Sequence, residues 1–414
     1  MKLSVLIIGF VWPEPRSSAA GSRMMQLIEA FQSQDYKITF VSASSRGAQA
    51  VGLETLGIAT ETVKINDSSF DEFLKYLQPD IVMFDRFMTE EQFGWRVSEH
   101  CPKALKLLDT EDLHSLRKGR QQAYKLKTEF NNTFLFNEVA KREIASIYRC
   151  DLTLIISEAE MTLLAETFKV PADLLLYLPF MLQPLTETDQ KANPNYASRS
   201  HFITIGNFLH EPNYQSVLHL KQIIWPEIRK ALPKAEVHVY GAYASQKVNQ
   251  LHQPKDGFLI MGFAESVDDV MKQARVCLAP LVFGAGLKGK LVDAMKSGTP
   301  CAMSSIASEG MFGTMPANGF IEDEPVSFSR QAVDLYNSQS VWETSQNQGY
   351  AVYNSRFNEN IFKSLFLNSI SNLLEHLEAH RLSNFTGAML QHHSLQSTKF
   401  MSRWIEEKNK QLSN

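Results

Sequence analysis

The sequence predicts an α/β protein built from two Rossmann-like, doubly wound domains that face each other across a deep cleft. Short, continuous apolar runs alternate with helix-like segments along most of the 414 residues, which is typical of parallel strands covered by helices on both faces. A polar stretch, QPLTETDQKANPNYASRS, interrupts this alternation and divides it into two series. A chain of this length exceeds the usual size of one domain, so two domains are expected.

Each series supplies enough strand candidates for a sheet of its own. The first contains the runs LSVLIIG, KITFVSA, DIVMFD, ALKLLD, DLTLIIS and LLLYLPF, and the second contains HFITIG, AEVHVYG, GFLIMG, RVCLAPL and TPCAMSS. We therefore expect an N-terminal domain over residues 1–182, a linker over residues 183–200 and a C-terminal domain over residues 201–380. The last residues, 381–414, are predicted to form a helical tail that packs back on the N-terminal domain.

Composition places the chain among ordinary globular proteins. Apolar residues make up 44% of it and charged residues 21%, and its formal net charge is −4, which argues against a nucleic-acid-binding protein with a broad basic surface. The four cysteines form no C-x-x-C pair, so we expect free thiols in a reducing compartment. The first apolar run is too short to span a bilayer and lacks a small-residue cleavage site, so it is predicted to be a buried strand and the protein to be cytoplasmic.

The loop after the first strand, FVWPEPRSSAAGSR, is a candidate anion site. It ends where a helix is predicted to start, and Gly21 would allow the backbone to approach a ligand closely. The first amides of a helix favour an anion, and Arg23 would add a positive charge. The alternative is a plain loop in which Ser22 caps the helix.

A second stretch of the first series, ALKLLDTEDLHSLR, carries several polar side chains. It places Asp109, Glu111, Asp112 and His114 just after a strand, at the edge that faces the cleft in a doubly wound sheet. A histidine at this edge, neutral or charged near pH 7, is suited to hydrogen-bond a sugar hydroxyl or a leaving phosphate. The alternative is a capping aspartate followed by a surface histidine.

In the second series, the glycine-rich loop VFGAGLKGKLVDAM lies between an apolar run and a predicted helix. Gly284 and Gly286 remove side chains, so that loop amides and the helix N terminus are free to hold a diphosphate. Lys288 adds a mobile positive charge, and Asp293, in the second helical turn, is placed to accept hydrogen bonds from a ribose diol. The alternative is a strained turn whose lysines lie in solvent.

Two further loops are expected to reach the same cleft. Gly206 follows the first strand of the second series and allows close backbone approach, while Asn207 offers both a donor and an acceptor. The loop SSIASEGM follows a later strand, and we assign Glu309 within it to the same candidate nucleotide-sugar site.

The polar helical stretch over residues 113–149 is basic in its first part. A solvated helix face is the favoured interpretation of this pattern. Contact with anionic lipid or with an acidic acceptor is the alternative, and it leaves open a peripheral position at the inner face of a membrane.

From about residue 202 to residue 311 the chain resembles the nucleotide-binding domain of group 1 glycosyltransferases, which are retaining enzymes of the GT-B architecture. The likeness rests on FITIGNFLHEPNYQSV, AEVHVYG and GAGLKGKLVDAMKSGTPCAMSSIASEGM. In the first half it is looser and involves the loop with Gly21 and Arg23 and the DTEDLH stretch. The resemblance implies a nucleoside diphosphate sugar as co-substrate and no separate cofactor.

Residue by residue, the resemblance carries over in part. Asp293 falls where the family has the second glutamate of its E-x7-E motif, the ribose-binding acid, whereas the first glutamate falls at Ala285 and is absent. The family's phosphate-clamping arginine falls at Asn207, and its lysine falls at Pro212, so both basic clamps are missing.

Other residues must then supply the chemistry. We expect Lys288, together with Arg23, to provide the positive charge at the diphosphate. His114 resembles by position the cleft histidine that touches the donor sugar. Lys288 and His114 are therefore the predicted catalytic residues. No D-x-D sequence follows a strand, so no metal is implied.

The leading hypothesis is sugar transfer, with retention, from a nucleoside diphosphate sugar to a hydroxyl acceptor such as a glycan or a lipid-linked polysaccharide precursor. Two alternatives stay open: a non-hydrolysing sugar-nucleotide epimerase, and a non-catalytic nucleotide-sugar-binding or scaffold protein with a degenerate site. A nicotinamide-dependent dehydrogenase is disfavoured, because no G-x-G-x-x-G follows either opening strand.

Overall fold

A computed structural model describes residues 2–412, apart from the side chains of residues 393–395 and 412, and it confirms the predicted fold class. Two parallel sheets form, one of seven strands and one of six. The order of the first is β3-β2-β1-β4-β5-β6-β7, from β1 (Ser4–Gly9), β2 (Lys37–Ser42), β3 (Ala59–Thr62), β4 (Ile81–Asp85), β5 (Leu105–Asp109), β6 (Leu152–Ile155) and β7 (Leu175–Tyr177). The order of the second is β10-β9-β8-β11-β12-β13, from β8 (Ser200–Ile205), β9 (Val237–Tyr240), β10 (Phe258–Gly262), β11 (Ala274–Ala279), β12 (Cys301–Met303) and β13 (Gly319–Ile321).

Helices connect these strands and cover both faces of each sheet. In the first half they are α1 (Ala19–Gln32), α2 (Ser69–Leu77), α3 (Arg86–His100), α4 (His114–Leu126), α5 (Asn132–Leu135), α6 (Glu138–Arg149) and α7 (Glu158–Thr162). In the second half they are α8 (Glu187–Ala192), α9 (Glu211–His219), α10 (Trp225–Ala231), α11 (Gln246–Asn249), α12 (Val267–Gln273), α13 (Gly289–Lys296), α14 (Ser305–Ser308), α15 (Pro325–Asn337), α16 (Gln339–Arg356), α17 (Glu359–Ser383) and α18 (Phe385–Leu412).

Strand β1 shows why its sequence is a continuous apolar run. Val5 and Ile7 point into one core cluster, whereas Leu6 and Ile8 point into another on the opposite face of the sheet. All four are at most 1% exposed, because helices cover both faces. The sequence offered no such signal for β3 or β13, since β3 has the polar, mostly exposed sequence ATET at a sheet edge and β13 is three residues long.

Several local predictions differ from the structure. Helix α1 begins at Ala19, and its cap is Ser18, whose Oγ accepts from the Gly21 amide at 3.0 Å, so the alternative interpretation, in which Ser22 caps the helix, was wrong. The polar stretch over residues 113–149 is helical, as predicted, and consists of the three helices α4, α5 and α6. All four cysteines are buried and unpaired. Within residues 2–412, no helix is long and apolar enough to cross a membrane.

The chain returns to the N-terminal domain earlier than the predicted boundary at residue 380. Phe366, Ile370 and Leu373 of α17 lie in the core of that domain, where the Phe366 ring meets Phe31 edge to face at 5.3 Å. These apolar side chains need a partner surface, and α1 supplies it. Helix α18 then packs on α3 and α6 of the same domain.

Candidate active site

A cavity of about 810 Å³ lies between the two domains. The loops after β1, β4 and β5 form its N-terminal wall, and the loops after β8 and β11 form much of its C-terminal wall. In each sheet, strands are added first on one side of the opening strand and then on the other, so that the order switches between β1 and β4 and between β8 and β11. The loops named above lie at these switch points, which is where doubly wound folds bind ligands. The predicted residues that line the cavity are Gly21, His114, Gly206, Asn207, Gly284, Gly286, Lys288 and Asp293; Arg23 and Glu309 do not.

The glycine loop packs directly against the N-terminal wall. Gly286 has a φ of +65°, and a Cβ at this position would lie 2.8 Å from the Cβ of Asp112. Its amide donates to Oε1 of Glu160, a buried side chain of α7, at 2.8 Å. Only glycine fits both the backbone conformation and the close approach, so this loop holds the first turn of α13 toward the cavity.

Lys288 is not the mobile charge that the sequence suggested. It precedes α13 as the N-cap residue and is only 8% exposed. Its Nζ folds back and donates to the carbonyl oxygens of Ala285 at 3.0 Å and Gly286 at 2.5 Å. Burial lowers the pKa of Lys288 to about 8, although nearby Glu309 and Glu160 favour its charged form. Lys288 therefore shapes the loop as well as bringing charge to it.

Lys290 is a cavity cation that the sequence analysis missed. It lies in the first turn of α13, and its Nζ donates to Oδ1 of Asn213 at 3.2 Å. No carboxylate pairs with it among residues 2–412, whereas Lys296 of the same helix pairs with Asp268 at 2.7 Å. Burial lowers the pKa of Lys290 to about 8. The helix dipole disfavours a cation in the first turn of a helix. The presence of Lys290 in the first turn of a predicted helix was therefore the sequence feature that could have indicated a functional role.

Asp293 presents a carboxyl group to the cavity without a hydrogen-bond partner in the part of the chain that the structure describes. Burial, together with the smaller effect of the neighbouring Asp268, raises the pKa of Asp293 to about 7. A half-buried carboxyl group without a protein donor loses part of its hydration, so a ligand donor at this position would relieve that cost.

Arg23 does not supply charge to the cavity, contrary to the prediction. It is 1% exposed, forms an ion pair with the fully buried Asp109 at 2.8 Å, and donates to the Leu178 carbonyl oxygen at 2.7 Å. Gly21 beside it allows α1 to pack closely, because a Cβ there would lie 2.4 Å from the carbonyl group of Glu14. Both residues therefore hold α1 in place.

Glu309 also differs from its predicted role, since it lies beside the cavity rather than in its wall. Its two carboxylate oxygens accept from Nη1 and Nη2 of Arg120, on α4 of the other domain, at 2.8 and 2.7 Å. The same guanidinium group donates to the Gly284 carbonyl oxygen at 2.9 Å. Arg120 and Glu309 thus join the two domains next to the glycine loop.

His114 lies in the N-terminal wall as a neutral imidazole. Its Nε2 is 3.3 Å from Oδ1 of Asp112, and its ring meets Phe87 edge to face at 5.5 Å. Burial lowers the pKa of His114 to about 3, so the expectation that it could be charged near pH 7 was wrong. It can hydrogen-bond a ligand but does not offer a positive charge.

Asn207 turns its side chain toward its own loop. Its Oδ1 accepts from the Leu209 amide at 2.8 Å, and its carbonyl oxygen accepts from Nδ2 of Asn213 at 3.0 Å. These bonds order the loop next to Lys290. Among the described residues, no group of three or more histidine, cysteine, aspartate or glutamate side chains is arranged to hold a metal ion.

Comparison with known proteins identifies the C-terminal domain and the fold. Residues 199–338 match the family described as "Glycosyl transferases group 1". A comparison with curated proteins finds no match.

The solved structures that are similar to the chain span nearly all of it. HepE of Anabaena, solved with UDP and glucose, has a TM-score of 0.66 at 13% identity over 90% of this chain and 100% of its own. Sucrose-phosphate synthase from Thermosynechococcus elongatus has the same TM-score, identity and coverage. TarM of S. aureus, solved with UDP, fondaparinux and alpha-GlcNAc-glycerol, has a TM-score of 0.67 at 9% identity over 89% of this chain and 99% of its own. Residues 199–338 thus form a group 1 glycosyltransferase domain, within a chain that has the two-domain GT-B fold of glycosyltransferases.

Proposed function

We propose that the protein is a retaining glycosyltransferase that moves a sugar from a nucleoside diphosphate sugar to a hydroxyl group of an acceptor. One observation carries the proposal. Buried Lys288, half-buried Lys290 and the first turn of α13 converge on the cavity behind a glycine loop, and neither lysine has a carboxylate partner in the described part of the chain. Such a site holds two cationic groups that no ion pair neutralises, which suits it to a diphosphate.

A second feature of the C-terminal wall, the carboxyl group of Asp293, supports binding of the ribose of a nucleotide. Asp293 lies one helical turn beyond Lys290, and its carboxyl group has no hydrogen-bond partner among the described residues, which supports a role in bonding the two ribose hydroxyls. HepE, whose fold this chain shares, was solved with UDP-glucose. We propose that this chain also binds a nucleoside diphosphate sugar, whose base and sugar are to be identified by experiment.

Catalysis in this arrangement would be mainly electrostatic. The bond between the anomeric carbon and the diphosphate oxygen breaks, the acceptor oxygen bonds to that carbon, and an oxygen of the leaving diphosphate takes up the acceptor's proton. Negative charge grows on the diphosphate in this step, where Lys288, Lys290 and the amides of α13 stabilise it. Protein groups thus supply the required positive charge, so we propose a transfer that does not depend on a metal ion.

A surface at the mouth of the cleft favours a lipid-linked acceptor. Four large apolar side chains are exposed along α4 and the segment after it: Tyr124, Leu126, Phe130 and Phe136. Exposed Lys118, Lys125 and Lys127 accompany them, although the whole chain has a net charge of −4. The Tyr124 ring lies 5.6 Å from the Phe283 ring of the other domain, which places this surface beside the cavity. We propose that it contacts the inner, anionic face of a membrane from the cytoplasm.

A thermal-shift panel with UDP, GDP, ADP and TDP sugars tests the proposed function, because a bound ligand stabilises the folded state by mass action. We expect one base to give the largest shift and the matching sugar nucleotide to release its nucleoside diphosphate only when an acceptor is present. Conversion of the sugar nucleotide without an acceptor would indicate an epimerase instead. Binding without turnover across an acceptor library would indicate a non-catalytic protein, and no binding by any nucleotide would contradict the proposal altogether.

A further inference from the structure

Glu111 occupies an unusual backbone position at the end of β5. Its φ is +62°, and the amide of Asp112 donates to the Thr110 carbonyl oxygen at 2.8 Å, so Glu111 is the central residue of a three-residue turn. A residue with a side chain rarely adopts a positive φ of this size, because its Cβ then crowds the following carbonyl oxygen. The turn aims the segment into the cavity, where Glu111 forms part of the wall.

This turn lies directly opposite the glycine loop. A Cβ on Gly286 would be 3.4 Å from the carbonyl oxygen of Glu111 and 2.8 Å from the Cβ of Asp112. The diphosphate site of Lys288, Lys290 and α13 begins at the same loop. A sugar attached to the outer phosphate would therefore extend from the C-terminal wall to within reach of Glu111.

The carboxyl group of Glu111 differs from the other acids on the N-terminal wall. Asp112 is paired with Arg117 at 2.8 Å, and Asp85 accepts from the Phe10 amide at 2.9 Å. Glu111 has no hydrogen-bond partner in the described residues.

The surroundings of Glu111 favour its neutral form. Burial raises the pKa of Glu111 well above its usual value, and the nearby Asp109 and Asp85 raise it further, against the opposing effect of Arg86 and Arg23. A neutral carboxyl group donates one hydrogen bond and accepts others, which matches a pair of sugar hydroxyls better than it matches a phosphate.

We propose that Glu111 is a specificity-determining residue that hydrogen-bonds hydroxyl groups of the transferred sugar from the N-terminal wall. This inference rests on the proposed function, since it requires a diphosphate at α13. It assigns recognition of the sugar to an acid of the opposite domain. On the C-terminal wall, the residue before Gly286 is Ala285, whose methyl group belongs to a core cluster that also contains Leu113 and Leu116 and which offers no polar group to a sugar.

The test compares the dissociation constants of a nucleoside diphosphate and of its sugar conjugate, measured by calorimetry without acceptor. The probes are UDP with UDP-glucose and GDP with GDP-mannose, and the pair that the wild-type protein binds more tightly is used. The variants are E111A and E111Q, since glutamine keeps a neutral donor and acceptor at the same place. The control is D35A, which removes an acid that also has a positive φ, of +57°, but lies away from the cavity.

In E111A we expect the affinity for the sugar conjugate to fall about tenfold and the affinity for the free diphosphate to stay within about twofold. We expect E111Q to restore most of the loss and D35A to change neither constant. An equal loss of both ligands in E111A, or an unchanged ratio, would overturn the role of Glu111 while leaving the proposed function in place. Absence of binding by the wild-type protein to either pair would overturn the proposed function and this inference together.

Discussion

The two walls of the cavity are built from the same βα units but distribute charge in opposite ways. On the N-terminal wall the cations have acidic neighbours: Arg117 pairs with Asp112 at 2.8 Å, and Nε of Arg86 lies 3.6 Å from Oδ1 of Asp85. This wall is therefore close to neutral within itself, and its histidine is uncharged as well.

On the C-terminal wall, by contrast, neither Lys288 nor Lys290 forms an ion pair with a carboxylate in the described part of the chain, although Glu309 and Glu160 lie near Lys288. Lys288 and Lys290 bond only to carbonyl and amide oxygens in the described part of the chain, and burial lowers the pKa of each to about 8. The protein bears the cost of burying one such group and half-burying the other at one helix N terminus. Under the proposed function, this difference corresponds to a division of labour, in which the C-terminal wall would bind the anion and the N-terminal wall would bind hydroxyl groups.

The largest expected effect comes from the contact between the two walls at Gly286. In G286A, the new Cβ would meet the Cβ of Asp112 at 2.8 Å on a backbone with a φ of +65°, so the loop must move. Strain and overlap of this kind cost about 2–4 kcal/mol, and we expect nucleoside diphosphate affinity to fall about 100-fold.

The matched control for G286A is G57A, which has a φ of +75° and no atom within 4 Å of the added Cβ. Calorimetric affinity and the melting temperature of both variants separate local strain from the contact. Equal affinities in the two variants would show that the contact between the walls does not matter for binding.

The next effect concerns the uncompensated charge. Replacing Lys290 with methionine keeps the aliphatic part and removes the charge, so we expect a 10- to 30-fold loss of nucleoside diphosphate affinity, or about 1.5–2 kcal/mol. Lys296→Met is the control, because Lys296 lies on the same helix and lines the same cavity but is paired with Asp268. Its expected loss is about threefold or less, and a loss as large as that of Lys290→Met would argue against the division of labour.

The pH dependence of binding gives a third, smaller effect. Below pH 8 both lysines are mostly protonated and attract the diphosphate, whereas above pH 8 each loses its charge, so affinity should fall as the pH rises. Because the bound anion favours the charged form, binding near pH 8 takes up protons. We expect about a tenfold loss between pH 7 and pH 9, with a shallower slope in Lys290→Met. Calorimetry in buffers of different ionisation enthalpy measures both the affinity and the proton uptake. An affinity that does not change between pH 7 and pH 9 would contradict this prediction.

The smallest effect concerns the ion pair that joins the domains. Arg120→Met removes the two bonds to Glu309 and the bond to the Gly284 carbonyl oxygen. A partly exposed pair is worth about 1 kcal/mol or less, so we expect about a threefold loss of affinity and a larger radius of gyration in solution scattering. Arg142→Met, which breaks an ion pair with Glu91 inside one domain, should change neither quantity.

The sequence was sufficient to predict the two sheets and most of the cavity, because both depend on local patterns. Continuous apolar runs mark parallel strands, and loops after such strands meet at one edge of a sheet. The role of Arg23 was not predictable in this way, since its partner Asp109 lies 86 positions away along the chain.

The same limit explains the other errors at the site. Glu309 and Arg120 are 189 positions apart, and nothing in the sequence of either loop indicates the pairing. Lys288 and Lys290 look alike in the sequence, and only the folded loop shows that Lys288 turns back on its own carbonyl oxygens. Residue types at strand ends thus locate a site, whereas the partners of each charge follow from tertiary packing.

The most direct test of the division of labour is a crystal structure with the nucleoside diphosphate that stabilises the protein most. We predict that the phosphate oxygens lie within about 3 Å of Nζ of Lys290 and of the first amides of α13. The ribose hydroxyls should bond Asp293. Phosphates bound to Arg86 or Arg117 on the N-terminal wall, with Lys290 unoccupied, would contradict the account.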